Sequence, residues 1–82
     1  MSPSESFAIK LQVAKLIYRW EYSVIDGGVL TFYPHDRTGH YTLTDREVDG
    51  LRSVERCAQI ITGHKKGPAL IAKWVLEGLL QL

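Results

Sequence analysis

Val24-Ile25-Asp26-Gly27-Gly28-Val29-Leu30 is the stretch whose reading decides the fold. It reads as a hairpin, and Asp-Gly and Gly-Gly supply the positive φ angles that a two-residue turn between antiparallel strands needs. The residues that follow, Val29 to Tyr33, are β-branched and aromatic, so they read as a strand. Pro34 ends it. Pro34 to Gly39, PHDRTG, reads as a turn, and His40 to Leu43 as a short third strand. The expectation is a three-stranded antiparallel meander.

Upstream of the hairpin, Ser2-Pro3-Ser4-Glu5 has the form of a helix start. Ser2 can cap, Pro3 fits the first turn, and Glu5 stands where a capping box needs it. From there the helical template fits to about Tyr22. Phe7, Leu11, Ala14 and Tyr18 form one ridge, and Ile9, Val13, Leu16 and Trp20 another. Phe7, Ile9, Leu11 and Val13 also alternate as a strand would. Length and the Ala, Lys, Gln and Arg content favour the helix.

Downstream, Thr44-Asp45-Arg46-Glu47 is a second capping box. The helix it opens is expected to run to about Thr62, with Val48, Leu51, Val54, Ala58 and Ile61 on its apolar face. Asp45, Asp49, Arg52 and Arg56 share the outer face as solvated pairs. Gly63 suits the position after the helix end. Pro68 then starts a last helix reaching Leu82. The fold class expected is α+β in one small domain, residues 1–82. The order is α-β-β-β-α-α, with the meander packed on helices.

The last helix carries the surface question. Ten of the fourteen residues after Pro68 are apolar. Lys73, Glu77 and Gln81 make one narrow polar stripe, and Ile71, Val75, Leu79 and Leu82 lie opposite it. The flanks hold Leu70 with Trp74 and Leu76 with Leu80. A chain of 82 residues buries about 63% of its unfolded surface, enough for one modest core. The flanking residues Leu70, Trp74, Leu76 and Leu80 are therefore expected to stay uncovered and to form a partner or homodimer interface.

Composition narrows the function classes. Ten Lys and Arg against nine Asp and Glu leave a net charge of +1, which favours no charged partner class. The single cysteine, Cys57, cannot form an internal disulfide and suits a reducing compartment. No apolar run exceeds four residues, so no membrane span is expected. The first residues lack a basic segment ahead of an apolar one, so no secretory signal is expected either. A cytoplasmic location follows as an expectation.

No residue pattern points to chemistry. His35, His40, His64, Asp36 and Cys57 show none of the paired spacings of a metal site. There is no phosphate-binding glycine loop and no nucleophile beside a base. The expectation is no enzyme, no metal and no cofactor.

Two short stretches carry resemblances. Leu43-Thr44-Asp45-Arg46-Glu47 resembles the LTxRE opening of LuxR-type helix-turn-helix domains. His64-Lys65-Lys66 is similar to the lysine cluster at the last helix of double-stranded RNA-binding domains. Each covers only a few residues, and both imply nucleic-acid contact. Lys65 and Lys66 could hold phosphate beside a helix N-terminus. The leading expectation is non-enzymatic binding of a protein partner, as an inhibitor, adaptor or regulator acting through the helical face. The alternative is a nucleic-acid-binding regulator using the helical hairpin of residues 44–82.

Overall fold

A turn at residues 24–28 reverses the chain where the glycines allow it. In a computed structural model, which describes residues 1–36, 38–51 and 66–81, strand β1 is Ile17–Ser23 and β2 is Val29–Pro34. Between them lies a short 3-10 turn, Ile25–Gly27. Three successive residues take positive φ: Asp26 at 57°, Gly27 at 83° and Gly28 at 98°. The connection is thus five residues long rather than the expected two, because Val24 and Ile25 belong to the turn and Ser23 is the residue that pairs with Val29 at its base. Strand β3, Tyr41–Thr44, pairs antiparallel with β2. The sheet order β1-β2-β3 is the expected meander.

Helix α1 is Pro3–Val13 and opens with the expected capping box. Ser2 Oγ accepts from the Glu5 N–H at 3.1 Å, and Glu5 Oε1 accepts from the Ser2 N–H at 3.2 Å. The helix does not reach Tyr22. Lys15 turns left-handed at φ 60°. The Leu16 N–H then bonds the Leu11 carbonyl at 3.1 Å, and the Lys15 N–H bonds that of Gln12 at 3.0 Å. Those are the two bonds of a Schellman stop, built on a lysine where glycine is usual. The released residues are worth more as a strand, because Ile17 to Ser23 alternate and can pair with β2.

Helix α2 is Asp45–Gly50, and its capping box joins Thr44 and Glu47 at 3.1 and 3.2 Å. The expected continuation through Arg52, Val54, Arg56, Cys57, Ala58 and Ile61 to Thr62 lies outside the described residues. So do Gly63, His64 and Lys65. Helix α3 is Lys66–Leu76, six residues shorter at its C-terminal end than expected. Gly78, at φ 76°, ends it with a second Schellman pair. The Leu79 N–H meets the Trp74 carbonyl at 2.9 Å, and the Gly78 N–H meets that of Val75 at 3.1 Å.

The element order is α-β-β-β-α-α, and the domain is α+β. One face of the sheet supplies Ile17, Leu30, Phe32 and Leu43 to the core. Phe7, Ala8 and Leu11 of α1, Val48 and Leu51 at α2, and Leu70, Ile71, Ala72 and Trp74 of α3 pack against them. Phe7, Ala8 and Leu11 recur at helical spacing, which is why α1 presents one buried stripe. Among the described residues, no helix is long and apolar enough to cross a membrane.

Candidate binding face

Three of the four named flank residues of the last helix are covered by the domain itself. Leu70, Trp74 and Leu80 are buried within the chain itself, Trp74 to 3% exposure. This corrects the premise that the flanks exceed what the domain can cover. Two close approaches explain the difference. Gly67 lets the start of α3 press on β3, where a Cβ would stand 2.6 Å from the Thr42 carbonyl oxygen. The Trp74 ring centroid then comes 6.4 Å from that of Phe32. The turn at Gly78 folds Leu80 back, its N–H reaching the Trp74 carbonyl at 3.2 Å. Only Leu76 of the four named flank residues remains exposed, at 51%. Leu79, expected on the core ridge, is exposed, and Leu82 lies outside the described residues.

Lys66 is exposed in the first turn of α3. It borders an open depression of about 430 Å³ lined by His40, Tyr41, Thr42, Glu47, Gly67 and Pro68. Lys65, its expected companion in phosphate contact, lies outside the described residues.

The sheet face away from the core carries a feature the sequence reading missed. Ile17 opposes Pro34 and Arg19 opposes Tyr33, so one extra residue, Tyr18, bulges between them. Its ring lies 5.9 Å from that of Tyr33 and 5.6 Å from that of His35. His40 stands 5.6 Å from Tyr33 on the other side. The Arg19 guanidinium sits 5.1 Å from the centre of the Tyr33 ring, a cation–π distance, and is ion-paired with Glu21. Tyr18 is 54% exposed, and Arg19, His35 and His40 are exposed with it. Tyr33 is the half-buried hub. Reading residues 17–22 as helix hid this cluster. The signal was present in the alternation of Arg19, Glu21 and Ser23 with Trp20 and Tyr22, which is a strand's period of two.

A second polar cluster ties three elements together on the core side. Asp45 accepts from Ser4 Oγ at 2.5 Å and from Tyr22 Oη at 2.9 Å, and its N–H donates to the Gly28 carbonyl at 3.2 Å. Asp45 therefore holds α1 and β1 to the start of α2, rather than serving only as a solvated helix charge. Ser4 is 1% exposed, so its hydroxyl cannot meet a substrate. This cluster is structural.

The hydrogen bond to the Asp45 carboxylate, followed by burial, raises the Tyr22 pKa above 10.0. A raised folded-state value means that the neutral phenol contributes stability in full below the unfolded pKa. That contribution is lost as pH rises through the folded one. Urea midpoints measured between about pH 8 and 11 should fall with this group intact. Tyr22→Phe should be less stable at neutral pH, with a flatter alkaline limb. An unchanged limb would show that the phenol titrates alike in both states.

Among the described residues, no three His, Cys, Asp or Glu side chains gather as a metal site would require. Comparison with protein-family models, with curated proteins and with solved structures finds no match to this chain.

Proposed function

We propose that this chain is a small non-enzymatic binding protein, an inhibitor, adaptor or regulator that acts in the cytoplasm by holding a protein partner. The contact face is the outer surface of the sheet at Tyr18, Arg19, Tyr33, His35 and His40, in place of the last-helix flank. The observation that carries this reading is the exposed cluster of aromatic rings around Tyr33 with a guanidinium over it. Tyrosine and arginine dominate the energetics of protein interfaces because each buries a large, stiff area and keeps a polar end.

Charge favours a protein over a nucleic acid. Arg19 is neutralised by Glu21, and the whole chain carries only +1. A phosphate backbone needs an unpaired basic surface, since counterion release supplies most of its affinity.

Affinity capture from the native lysate, with and without nuclease, tests the reading. The double variant Tyr18→Ala/Tyr33→Thr should weaken capture of the partner by roughly thirtyfold, as loss of an interface hot spot of about 2 kcal/mol does. Leu76→Ser should leave it unchanged. Equal capture by both variants removes the sheet face from the interface. Capture abolished by nuclease replaces the protein reading with the alternative, a nucleic acid held by residues 44–82 and Lys66.

A further inference from the structure

Strand β1 is an edge of the sheet, and no other strand lies beside it among the described residues. An edge strand presents a row of backbone donors and acceptors, a template for another strand. Proteins guard such edges with bulges and with like charges. Here the bulge sits at one end, at Tyr18, and leaves Arg19 to Ser23 in regular register with β2. The charges on the regular part are not alike. Arg19 and Glu21 lie two apart on the outer face, with opposite sign and both more than half exposed.

We propose that β1 pairs antiparallel with β1 of a second copy, about a two-fold axis at Trp20, giving a continuous six-stranded sheet. The charges select that register. With Trp20 opposite its own copy, Arg19 lies opposite Glu21 of the partner, and Glu21 opposite the partner's Arg19. Slipping by one pair in either direction puts Arg19 against Arg19 or Glu21 against Glu21. Like charges directly opposite on neighbouring strands are destabilising, and opposite ones stabilising. A slip by an odd count would turn the outer face toward the core.

Backbone geometry permits the same register whichever alternate set of N–H and C=O groups faces outward. A two-fold axis through a residue can fall on either kind of antiparallel pair. Trp20, half-buried and held by its Nε1–H to Gln12 Oε1 at 3.2 Å, meets its copy across the axis. Cross-strand aromatic pairs of that kind add to strand pairing. The contact is short, so the dimer is weak, with a dissociation constant on the order of 100 µM. It leaves Tyr33, His35 and His40 uncovered and sets two copies of their cluster on one surface. The inference rests on the β1 edge and stands or falls independently of the partner proposed above.

Sedimentation equilibrium from about 10 µM to 1 mM tests it, with charge variants as the decisive arm. The wild type should move from 9.3 kDa toward twice that mass. Arg19→Glu alone and Glu21→Arg alone should each remain monomeric across the range, because each places like charges opposite. An equimolar mixture of the two variants should regain dimer, and so should the double variant Arg19→Glu/Glu21→Arg.

Amide hydrogen exchange on the unmodified protein supplies a readout that needs no variant. Protection in β1 should rise with concentration while that at Leu76 and Leu79 stays constant. A wild type that stays monomeric overturns the proposal. So does a dimer that survives both single charge variants, or single variants that fail to recombine while remaining folded by circular dichroism. Protection that rises at Leu76 and Leu79 instead places the interface on the last helix and overturns it as well.

Discussion

Trp74→Glu should leave no folded protein. Trp74 is 3% exposed, and its ring packs 6.4 Å from Phe32 at the centre of the core. Truncating a buried aromatic to alanine costs about 3–5 kcal/mol. Placing a carboxylate there without a partner adds several kcal/mol or forces it to stay protonated. A chain of this length has roughly 4–12 kcal/mol of total stability. The two losses together are as large as most of that range, so far-UV circular dichroism at neutral pH should show an unfolded chain. Leu76→Glu, two residues further on and 51% exposed, should shift stability by no more than about 0.5 kcal/mol. The pair separates two pictures of this helix. If Trp74 belonged to an interface between chains, its glutamate variant would fold and merely fail to associate. A folded Trp74→Glu protein would therefore contradict the core described above.

The second large effect is expected at Gly28, and its neighbour is the control. Both glycines have positive φ, 83° at Gly27 and 98° at Gly28. A side chain at Gly27 meets nothing within 4 Å, so Gly27→Ala carries only backbone strain, about 1 kcal/mol. At Gly28 a Cβ would fall on the Asp45 carboxylate and stand 2.6 Å from Tyr22 Oη. Gly28→Ala must therefore distort the turn and displace a carboxylate that accepts from both Ser4 and Tyr22. Strain of about 1–3 kcal/mol and loss of a charged hydrogen bond of about 1.5–3 kcal/mol add to roughly 2.5–6 kcal/mol. Urea denaturation of the two variants measures the difference directly. Equal losses at the two positions would mean that the Ser4–Asp45–Tyr22 cluster is not seated against Gly28.

What the sequence determined by itself was the local chemistry. Ser2 with Glu5 and Thr44 with Glu47 each close a capping box over three residues, and each forms as read. The glycines at 27 and 28 take the positive φ values expected of them. These features are legible because the partners lie within a few bonds, and nothing distant has to agree. They were enough for the α-β-β-β-α-α order.

Gly78 was equally local. Its stop was readable as the glycine after a helix end, but the helical period of the mostly apolar stretch from Ala69 to Leu82 masked it. Lys15 was not readable. A lysine carries no signal for a left-handed stop, and only the pairing of Ile17–Ser23 with β2 makes ending the helix there worthwhile. That pairing moved Tyr18 and Arg19 from a presumed helix to an open sheet face, and with them the candidate site.

Tertiary structure alone decided which apolar residues are surface. Leu70, Trp74 and Leu80 look as exposed in sequence as Leu76 does. Their burial depends on Phe32, forty-two positions before Trp74, and on Gly67 admitting α3 to the Thr42 carbonyl. Periodicity tells which side chains share a face of an element. It does not tell what lies opposite that face, because burial is set by neighbours distant in the chain that only the packed fold brings together.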